Sequence, residues 1–267
     1  MKIDKVIFTI DDNPHYKGFW SSISKHFKQR LNFEPVLFII GDRDKIDINS
    51  YDTSNGEVRI IDKINNIPTI IQALIGKFYF TILEPETTWL IGDLDLYPLQ
   101  QFHFKERIKN IEDNKYIHLF PDAYGADWRN SIKGLAGYFH VAKGKVFERE
   151  LNFKNKTFED VCLEIFHSNR WGIKFHNISS NQENRNASDD YGWFCCEEMY
   201  TGWLLSQSKN LVELPPISGY YPRIDRSNMS FDENLLIQGH YIDFHSPRPY
   251  EKYQTIIEDI ISKIPVE

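Results

Sequence analysis

Short apolar runs and longer runs with helical spacing alternate through the first hundred residues. The runs at 5–10, 36–40, 57–61 and 87–91 are brief and rich in β-branched and aromatic residues, which is typical of strands. Between them, residues 16–31 place Phe19, Ile23 and Phe27 at helical spacing, and Pro68 precedes a second helical pattern over 69–83. Near-continuous apolar strands in this order predict an α/β fold with a Rossmann-like, mostly parallel central sheet and helices on both faces.

The second half of the chain has a less regular pattern. It predicts strands over 115–120 and 135–144, and helices over 104–112, 144–151, 157–168, 194–208 and 252–263. We find no internal repeat and no linker composition, so we expect a single domain.

Acidic residues follow three of the predicted strands. Ligands of parallel sheets bind beyond the carboxyl ends of the strands, so these positions predict a binding site. For Asp42 and Asp44, capping of a turn is an equal alternative to ligand binding. The pairs are Asp11 with Asp12, Asp42 with Asp44, and Asp93 with Asp95.

The segment TWLIGDLDLYPL, residues 88–99, places two of these carboxylates between apolar runs. Side chains i and i+2 of an extended segment point the same way, so we expect Asp93 and Asp95 to project together. Two carboxylates this close repel each other unless a cation lies beside them. Hard oxygen ligands suit Mg²⁺ or Mn²⁺, which commonly keep open positions for phosphates. The segment predicts a divalent metal and a phosphorylated ligand; a solvated turn, the alternative, would not need apolar flanks.

Composition narrows the classes of function. Hydrophobic residues make up 41% and charged residues 26% of the 267 residues, as in an ordinary soluble globular protein. The net charge is −7 and no basic patch is evident, which argues against a nucleic-acid partner. No apolar run is long enough for a transmembrane segment. The three cysteines show no Cys-x-x-Cys spacing and the N-terminus lacks the pattern of a signal peptide, so we expect a reducing, cytoplasmic location.

The stretch KFYFTILEPETTWLIGDLDLYPL, residues 77–99, resembles the core of metal-dependent glycosyltransferases with the GT-A fold. In that family an apolar strand leads into an Asp-x-Asp motif that holds Mn²⁺ or Mg²⁺ against the diphosphate of a nucleotide-sugar. Compact glycosyltransferases of large algal viruses have a similar layout. The resemblance implies one domain over 1–267, with a donor half at 1–100 and an acceptor half with a C-terminal closing segment at 101–267. The matching residues are Lys77, Leu83, Pro85, Leu90, Asp93, Asp95 and Leu99.

The same resemblance implies roles on the donor side. A UDP- or GDP-sugar is the expected donor, with Thr9, Asp11 and Asp42 at the base and ribose. Lys77 stands where many relatives have an arginine on phosphate, and a lysine lacks the bidentate fork of arginine. Gly137, within LAGYFHVAKG, corresponds to the segment beside the donor sugar, where glycine permits close approach.

The C-terminal segment HYIDFHSPRPY, residues 240–250, offers the late histidine that many family members use on metal or phosphate. Imidazole suits Mn²⁺. The following Ser-Pro-Arg favours His245 over His240 as a metal ligand, and Arg248 is the candidate phosphate contact. A structural histidine between aromatic residues is the alternative.

Transfer of a hexosyl or deoxyhexosyl group to a hydroxyl of a glycan or other acceptor needs a general base if the anomeric centre inverts. The stretch SDDYGWFCCEEMYTGWLL, 188–205, resembles the family's usual base position, with Asp190, Glu197 and Glu198 as candidates. Acids near a helix N-terminus also stabilise the helix through its dipole, which is the alternative. The aromatic residues that could stack on sugar rings are Trp193, Trp203, Tyr220 and Tyr221.

Two other functions compete with this interpretation. A haloacid dehalogenase-like phosphatase would use the first aspartate of the motif as a nucleophile. That class has its motif near the chain start and Thr or Val two residues after the second aspartate, where this chain has Tyr97. A non-catalytic nucleotide- or sugar-binding protein of the same fold is the second alternative.

Overall fold

The computed structural model describes residues 1–120, 135–167, 200–215 and 223–264. The strands within these ranges are β1 (Lys5–Asp11), β2 (Glu34–Gly41), β3 (Glu57–Asp62), β4 (Thr88–Ile91), β5 (Leu96–Pro98), β6 (Tyr116–His118), β7 (His140–Lys143), β8 (Leu211–Glu213), β9 (Ile224–Asp225) and β10 (Asp243–His245). The helices are α1 (Pro14–Lys17), α2 (Phe19–His26), α3 (Thr69–Tyr79), α4 (Gln101–Phe104), α5 (Gly144–Glu150), α6 (Phe158–His167), α7 (Gly202–Ser206), α8 (Glu233–Ile237) and α9 (Tyr250–Ser262).

Seven of the described strands form one sheet in the order β3-β2-β1-β4-β7-β6-β8. The first four run parallel to one another. β7 is antiparallel to both of its neighbours, and β6 and β8 are again parallel. The predicted α/β fold with a mostly parallel central sheet is therefore confirmed, and its first four strands lie where the apolar runs predicted them.

Three helix predictions differ from the structure, the smallest difference being that the helix predicted over 69–83 ends at Tyr79 and continues as a 3₁₀ turn, Phe80–Leu83. The helix predicted over 16–31 is divided, because α2 ends at His26 and a π-helical turn, Phe27–Leu31, follows. Asn32 closes that turn at φ 56°, a left-handed conformation that asparagine tolerates. The helix predicted over 104–112 is wrong, since α4 ends at Phe104 and turns follow it. In the described parts of the chain, no helix has the length and hydropathy needed to cross a bilayer.

Alternate residues of the central strands face two separate cores, which explains the near-continuous apolar runs. On one face, Ile7 of β1 packs with the buried side of α3, including Ile71. On the other face, Phe8 packs with α2 and α9, and its ring meets that of Trp20 edge to face at 6.2 Å. The predicted helices on both faces of the sheet are therefore present.

A second sheet of three short strands, in the order β5-β10-β9, lies next to the carboxyl end of β4. β10 runs antiparallel to β5 and parallel to β9. The pairing of Phe244 with Tyr97 joins the C-terminal segment directly to the Asp-x-Asp segment. This small sheet positions most of the charged groups described below.

Buried His26 is expected to make the fold sensitive to acid. Its Nε2 lies 2.5 Å from the Pro98 carbonyl oxygen of β5. Burial lowers the pKa of His26 from 6.5 to about 4, against the opposing effect of the bond to Pro98. Below pH 6.5 the unfolded chain therefore binds more protons than the folded one, and the free energy of unfolding decreases from pH 6.5 to 4. We expect His26→Gln to reduce that loss by up to about 3 kcal/mol, measured by urea denaturation at several pH values. The exposed His15→Gln is the control, and an unchanged pH dependence in His26→Gln would contradict the assignment.

Candidate functional site

The Asp-x-Asp segment forms a turn at the carboxyl end of β4. The Leu96 N–H donates to the Asp93 carbonyl oxygen at 3.1 Å, so the chain turns here instead of continuing extended as predicted. The two carboxylates nevertheless share a neighbour. Burial lowers the pKa of Arg248, but Asp95, Tyr16 and Asp93 together raise it above its usual value. The two acids of the motif therefore act on the same guanidinium group.

Gly92 allows β4 to enter this turn. Its N–H donates to the Ile7 carbonyl oxygen of β1 at 3.0 Å. A Cβ at this position would lie 2.6 Å from Cε1 of the buried Phe8 and 3.0 Å from Cγ2 of Val6. Glycine is required here because any side chain would collide with β1.

We expect Gly92→Ala to destabilise the fold by about 1–3 kcal/mol, because the added methyl group overpacks the sheet. Urea denaturation of the purified variant measures this loss. Combining it with Phe8→Leu, which removes the colliding ring edge, should cost less than the sum of the two single changes. Strict additivity would show that the collision with Phe8 is not the cause.

Lys77 of α3 neutralises Asp93. Its side chain is only 3% exposed, and its Nζ lies 2.8 Å from Asp93 Oδ1. A buried ammonium group without its counter-ion would be costly, so the pair fixes Asp93 against the helix. The structure thus places the predicted lysine at the motif, and its contact with phosphate remains a prediction.

Asp95 is the centre of a cluster of cations. The residue is buried, and its Oδ2 lies 2.8 Å from Arg226 Nη1, 3.2 Å from Arg248 Nε and 3.6 Å from His245 Nε2. Its carbonyl oxygen accepts hydrogen bonds from the Ser246 N–H at 2.8 Å and the Ser246 hydroxyl at 3.1 Å. The C-terminal segment therefore closes directly over the motif.

These neighbours keep Asp95 charged. Burial raises the pKa of its carboxyl group, but His245, Arg248 and Arg226 lower it more. The net effect holds the pKa well below its usual value near 4. Asp95 is therefore a carboxylate at neutral and mildly acidic pH, and it cannot serve there as a proton donor.

The small sheet brings the cluster together through its register. His245 ends β10 and pairs with β5 on one side and with β9 on the other. Asp95 immediately precedes β5 and Arg226 immediately follows β9, so both lie beside His245. Asp225 fixes this end of β9, because its Oδ1 accepts from the Ser227 N–H at 2.8 Å and its Oδ2 lies 3.3 Å from His245 Nδ1.

Arg248 joins the cluster to the first strand. Its guanidinium carbon lies 5.2 Å from the centroid of the Tyr16 ring, and its Nη1 donates to the Tyr16 hydroxyl. Tyr16 belongs to α1, which directly follows the carboxyl end of β1. Arg248 is therefore fixed between the β1 end and Asp95, and its predicted phosphate contact remains a prediction.

The donor atoms of the site suit a divalent cation. Neither Asp93 Oδ2 nor Asp95 Oδ1 accepts a hydrogen bond from the described residues, so each carboxylate keeps one oxygen that could bind a metal. His245 Nε2 lies 3.6 Å from Asp95 Oδ2, the oxygen that also contacts Arg226 and Arg248, so the imidazole stands beside the carboxylate that would bind a metal. Within the described ranges, no group of three or more His, Cys, Asp or Glu side chains is arranged to hold a metal. A metal at this place would need further ligand atoms from phosphate or water.

Thr9 and Asp11 lie on β1, at the same edge of the sheet. The Thr9 hydroxyl donates to the Ala73 carbonyl oxygen of α3 at 2.5 Å. Asp11 is buried, and its Oδ2 lies 3.4 Å from the Thr69 hydroxyl at the start of α3. Both side chains therefore pack towards α3, and contacts with base or ribose remain a prediction.

Asp42 follows β2 and is paired with two lysines. Its Oδ2 lies 2.9 Å from Lys45 Nζ and 3.0 Å from Lys63 Nζ, and these hydrogen bonds lower the pKa of Asp42. It makes no side-chain capping bond to the 3₁₀ turn that follows it. Capping of the turn is therefore not its role, and ribose binding remains a prediction.

Gly137 lies in a buried segment that is anchored to the carboxyl end of β4. The Phe139 N–H donates to the Ile91 carbonyl oxygen at 2.8 Å. The Ala136 carbonyl oxygen lies 3.3 Å from Nε2 of the buried His118 and also contacts the ring of His140. These bonds hold the segment close to the motif, and the role of Gly137 beside a donor sugar remains a prediction.

Sequence reasoning missed two arginines of the segment RIDRSN, residues 223–228. Arg226 contacts Asp95, and Arg223 forms a bidentate ion pair with the buried Asp243 at 2.7 and 2.6 Å. β9 is only two residues long and carries no periodic pattern. The two arginines on either side of Asp225 were the one feature of the sequence that could have indicated this part of the site.

The proposed bases Asp190, Glu197 and Glu198 lie outside the described residues, as do Trp193, Tyr220 and Tyr221. Trp203 is described and lies on α7.

A cavity of about 630 Å³ lies at the opposite end of the sheet. Its lining includes Asp4, Thr88 and Lys143, which stand at the amino ends of β1 and β4 and at the end of the antiparallel β7. This cavity is therefore separate from the Asp95 cluster, which stands out by its charges and hydrogen bonds.

Comparisons with known proteins find similarity in structure only. No family model matches the chain, and no curated protein matches it. Among solved structures, the chain is similar to the galactosyltransferase LgtC in complex with donor and acceptor sugar analogues. The match covers 98% of this chain and 97% of that one, with 10% sequence identity and a TM-score of 0.48. The similarity concerns the course of the chain and assigns no role to a residue.

Proposed function

We propose that the protein is a metal-dependent glycosyltransferase of the GT-A type. It moves a sugar from a UDP- or GDP-sugar to a hydroxyl of a glycan or other acceptor. The observation that supports the proposal is the set of charges at the carboxyl end of the parallel sheet. There, Asp93 and Asp95 each have one oxygen that accepts no hydrogen bond from the described residues, and His245 and the guanidinium groups of Arg226 and Arg248 lie beside them.

The mixture of charges suits a diphosphate and a divalent cation bound together. The carboxylates attract a metal, whereas the guanidinium groups attract phosphate oxygens. A metal alone would meet the repulsion of Arg226 and Arg248, and a diphosphate alone would meet that of Asp93 and Asp95. A metal-bound diphosphate presents both signs of charge, and it satisfies both halves of the site.

The chain's own residues hold this arrangement. Lys77 fixes Asp93, and the two hydrogen bonds from Ser246 fix the backbone of Asp95. Asp93, Asp95 and His245 are the proposed ligands of the metal, and because they do not form a preassembled three-ligand site among the described residues, they would hold it only together with phosphate or water. When bound, a divalent metal stabilises the charge on the departing diphosphate, so the protein need not supply an acid for that group.

The charge state of Asp95 counts against a phosphatase with a nucleophilic aspartate. Such an enzyme needs a group that gives a proton to the leaving alcohol. Asp95, two residues after the candidate nucleophile Asp93, has a pKa well below its usual range because His245 and the two arginines oppose the effect of burial. It cannot donate that proton at neutral pH.

A thermal-shift screen of nucleotides and nucleotide-sugars, with and without MnCl₂, tests the proposed function. A ligand at 100 times its Kd should raise the unfolding temperature by about 5 °C or more, and only with the metal present. Transfer to sugar acceptors, followed by mass spectrometry, separates an enzyme from a binding protein. Full transfer in EDTA, or no stabilisation by any nucleotide with Mn²⁺, would overturn the proposal.

A further inference from the structure

Residues 135–139 are buried, yet they belong to no helix or strand. Phe139 has a φ of 57°, a left-handed conformation that is unfavourable for a bulky side chain. The segment lies beside the Asp-x-Asp turn, because the Phe139 N–H donates to the Ile91 carbonyl oxygen at 2.8 Å. Burial raises the pKa of Tyr138, and Asp93 is among the charges that raise it further. Backbone strain of this kind persists only where the surrounding structure enforces it, and it is concentrated at functional sites.

Two imidazole rings bind one carbonyl oxygen of this segment. His118 of β6 and His140 of β7 are both buried, and their ring centroids lie 4.5 Å apart. The Nε2 atoms of both rings contact the Ala136 carbonyl oxygen, that of His118 at 3.3 Å. A carbonyl oxygen only accepts hydrogen bonds and has two lone pairs, so each Nε2 must carry a proton. The two histidines together therefore fix the direction of the Ala136 carbonyl group.

Tyr116 fixes the tautomer of His140. The Tyr116 hydroxyl is hydrogen-bonded to Nδ1 of His140, and since Nε2 of the neutral ring carries the proton, the hydroxyl is the donor. Burial, His118 and Lys77 lower the pKa of His140 well below its usual value, against the opposing effect of the bond to Ala136. Burial also raises the pKa of Tyr116 well above its usual value. The ring therefore stays neutral, the hydroxyl keeps its proton, and the hydrogen bonds run in one direction from Tyr116 to Ala136.

These three polar side chains lie in an apolar core. The ring of Phe78 meets that of His140 edge to face at 5.3 Å, and the ring of Phe147 meets that of Tyr116 at 6.0 Å. Burial of polar groups costs free energy unless each of them is hydrogen-bonded. Apolar side chains of similar volume would fill the same space without that cost, but they could not bind the Ala136 carbonyl oxygen. The polar groups therefore add a fixed orientation of one peptide group.

We propose that His118, His140 and Tyr116 are positioning residues for the transfer reaction, which hold residues 135–139 in their strained conformation beside the Asp-x-Asp turn. The reaction rests on the proposed function, whereas the hold on the segment is a property of the unliganded chain. The three side chains act through the Ala136 carbonyl group. Without their hydrogen bonds the segment should relax and move, and a displacement of about 1 Å in an active site can lower a rate about 100-fold.

Transfer rates of His140 variants test the positioning role, with the nucleotide-sugar that the thermal-shift screen identifies. We expect His140→Leu, which cannot bind the Ala136 carbonyl oxygen, to lower kcat about 10- to 100-fold. His140→Gln keeps an N–H donor of similar reach and should restore most of that loss. Phe147→Leu is the matched control, because Phe147 packs in the same core against Tyr116. It should lower the stability measured by urea denaturation and leave kcat close to that of the wild type.

Amide hydrogen exchange, followed by NMR on the full unliganded chain, measures the hold on the segment without any activity. His140→Leu should speed exchange of the Phe139 amide, which donates to Ile91, by about tenfold or more. Exchange of the amides in β1 and β2 should stay as in the wild type, and His140→Gln should exchange almost as slowly as the wild type. Tyr116→Phe keeps the ring and removes the donor to His140, so it provides a second test, with a smaller increase, should His140→Leu not fold.

The inference is overturned if the Phe139 amide exchanges at the wild-type rate in both His140→Leu and Tyr116→Phe, or if His140→Gln restores nothing. It is also overturned if Phe147→Leu, at an equal loss of stability, lowers kcat by the same factor as His140→Leu. If the exchange pattern holds but no nucleotide-sugar is turned over, the hold on the segment stands and the proposed function is wrong. If sugar is transferred and His140→Leu keeps the wild-type kcat, the transfer reaction stands and the positioning role is wrong.

Discussion

Asp95→Asn is expected to reduce sugar transfer by about 10³-fold at saturating Mn²⁺, because it removes a charge that holds the metal-bound diphosphate. The fold should survive. The guanidinium groups that lose their partner are each 32% exposed, so water can solvate them. The transfer rate is measured as an initial rate with the nucleotide-sugar that the thermal-shift screen identifies. The stability of the fold is measured by urea denaturation. The loss should appear in kcat/KM of a folded variant, with a lower free energy of unfolding than the wild type because the buried carboxylate that pairs with His245 and the two arginines is removed.

Asp225→Asn is the matched control for this experiment. Asp225 lies one residue from Arg226 and contacts Nδ1 of His245, but it does not contact Asp95 within the described residues. It orients a candidate metal ligand, and such changes typically cost 10- to 100-fold. Equal losses in the two variants would show that Asp95 acts through the local structure. A wild-type rate in Asp95→Asn would remove the motif from the mechanism.

The central sheet was predictable because its strands are buried on both faces. β1 and β2 consist almost entirely of buried residues, and such runs leave a clear signal in the sequence. The acidic residues after β1, β2 and β4 were located by the same reasoning, since the carboxyl ends of parallel strands share one edge.

The charged cluster was only partly predictable. His245 could be proposed from the resemblance to a family, but the strands that bring it to Asp95 are three residues long or shorter. Strands of this length have no period, and their pairing depends on contacts distant in sequence. Arg226 lies after the shortest of them, so nothing local linked it to the motif.

The geometry of the Asp-x-Asp segment shows a second limit of prediction from sequence. The i, i+2 argument assumed an extended segment, whereas residues 93–96 turn. The conclusion that Asp93 and Asp95 share an environment still holds, because Arg248 and the C-terminal segment close over the turn. The sequence indicated only that Gly92 ends a strand. Its close approach to Phe8 depends on how β1 packs against β4, and sequence patterns do not reveal that packing.

One of Asp190→Asn, Glu197→Gln and Glu198→Gln is expected to reduce transfer by about two to four orders of magnitude if the enzyme inverts the anomeric centre. The reason is geometric. In-line displacement places the acceptor hydroxyl opposite the departing diphosphate, so the base must reach that hydroxyl from the side away from Asp93 and Asp95. Replacing the true base by its amide keeps its size and removes its ability to accept the proton. Steady-state kinetics of each variant, with the nucleotide-sugar varied, measure the change.

Donor binding provides the internal control for this series. A base that touches only the acceptor contributes to the transition state, so its loss should lower kcat and leave the Kd of the nucleotide-sugar nearly unchanged. Asp189→Asn, adjacent in sequence, is the matched variant and should transfer at close to the wild-type rate. If all three amide variants keep near-normal rates, the base lies elsewhere or the enzyme retains configuration. NMR of the anomeric proton in the product decides between these two outcomes, because an inverting enzyme must change its configuration relative to the donor.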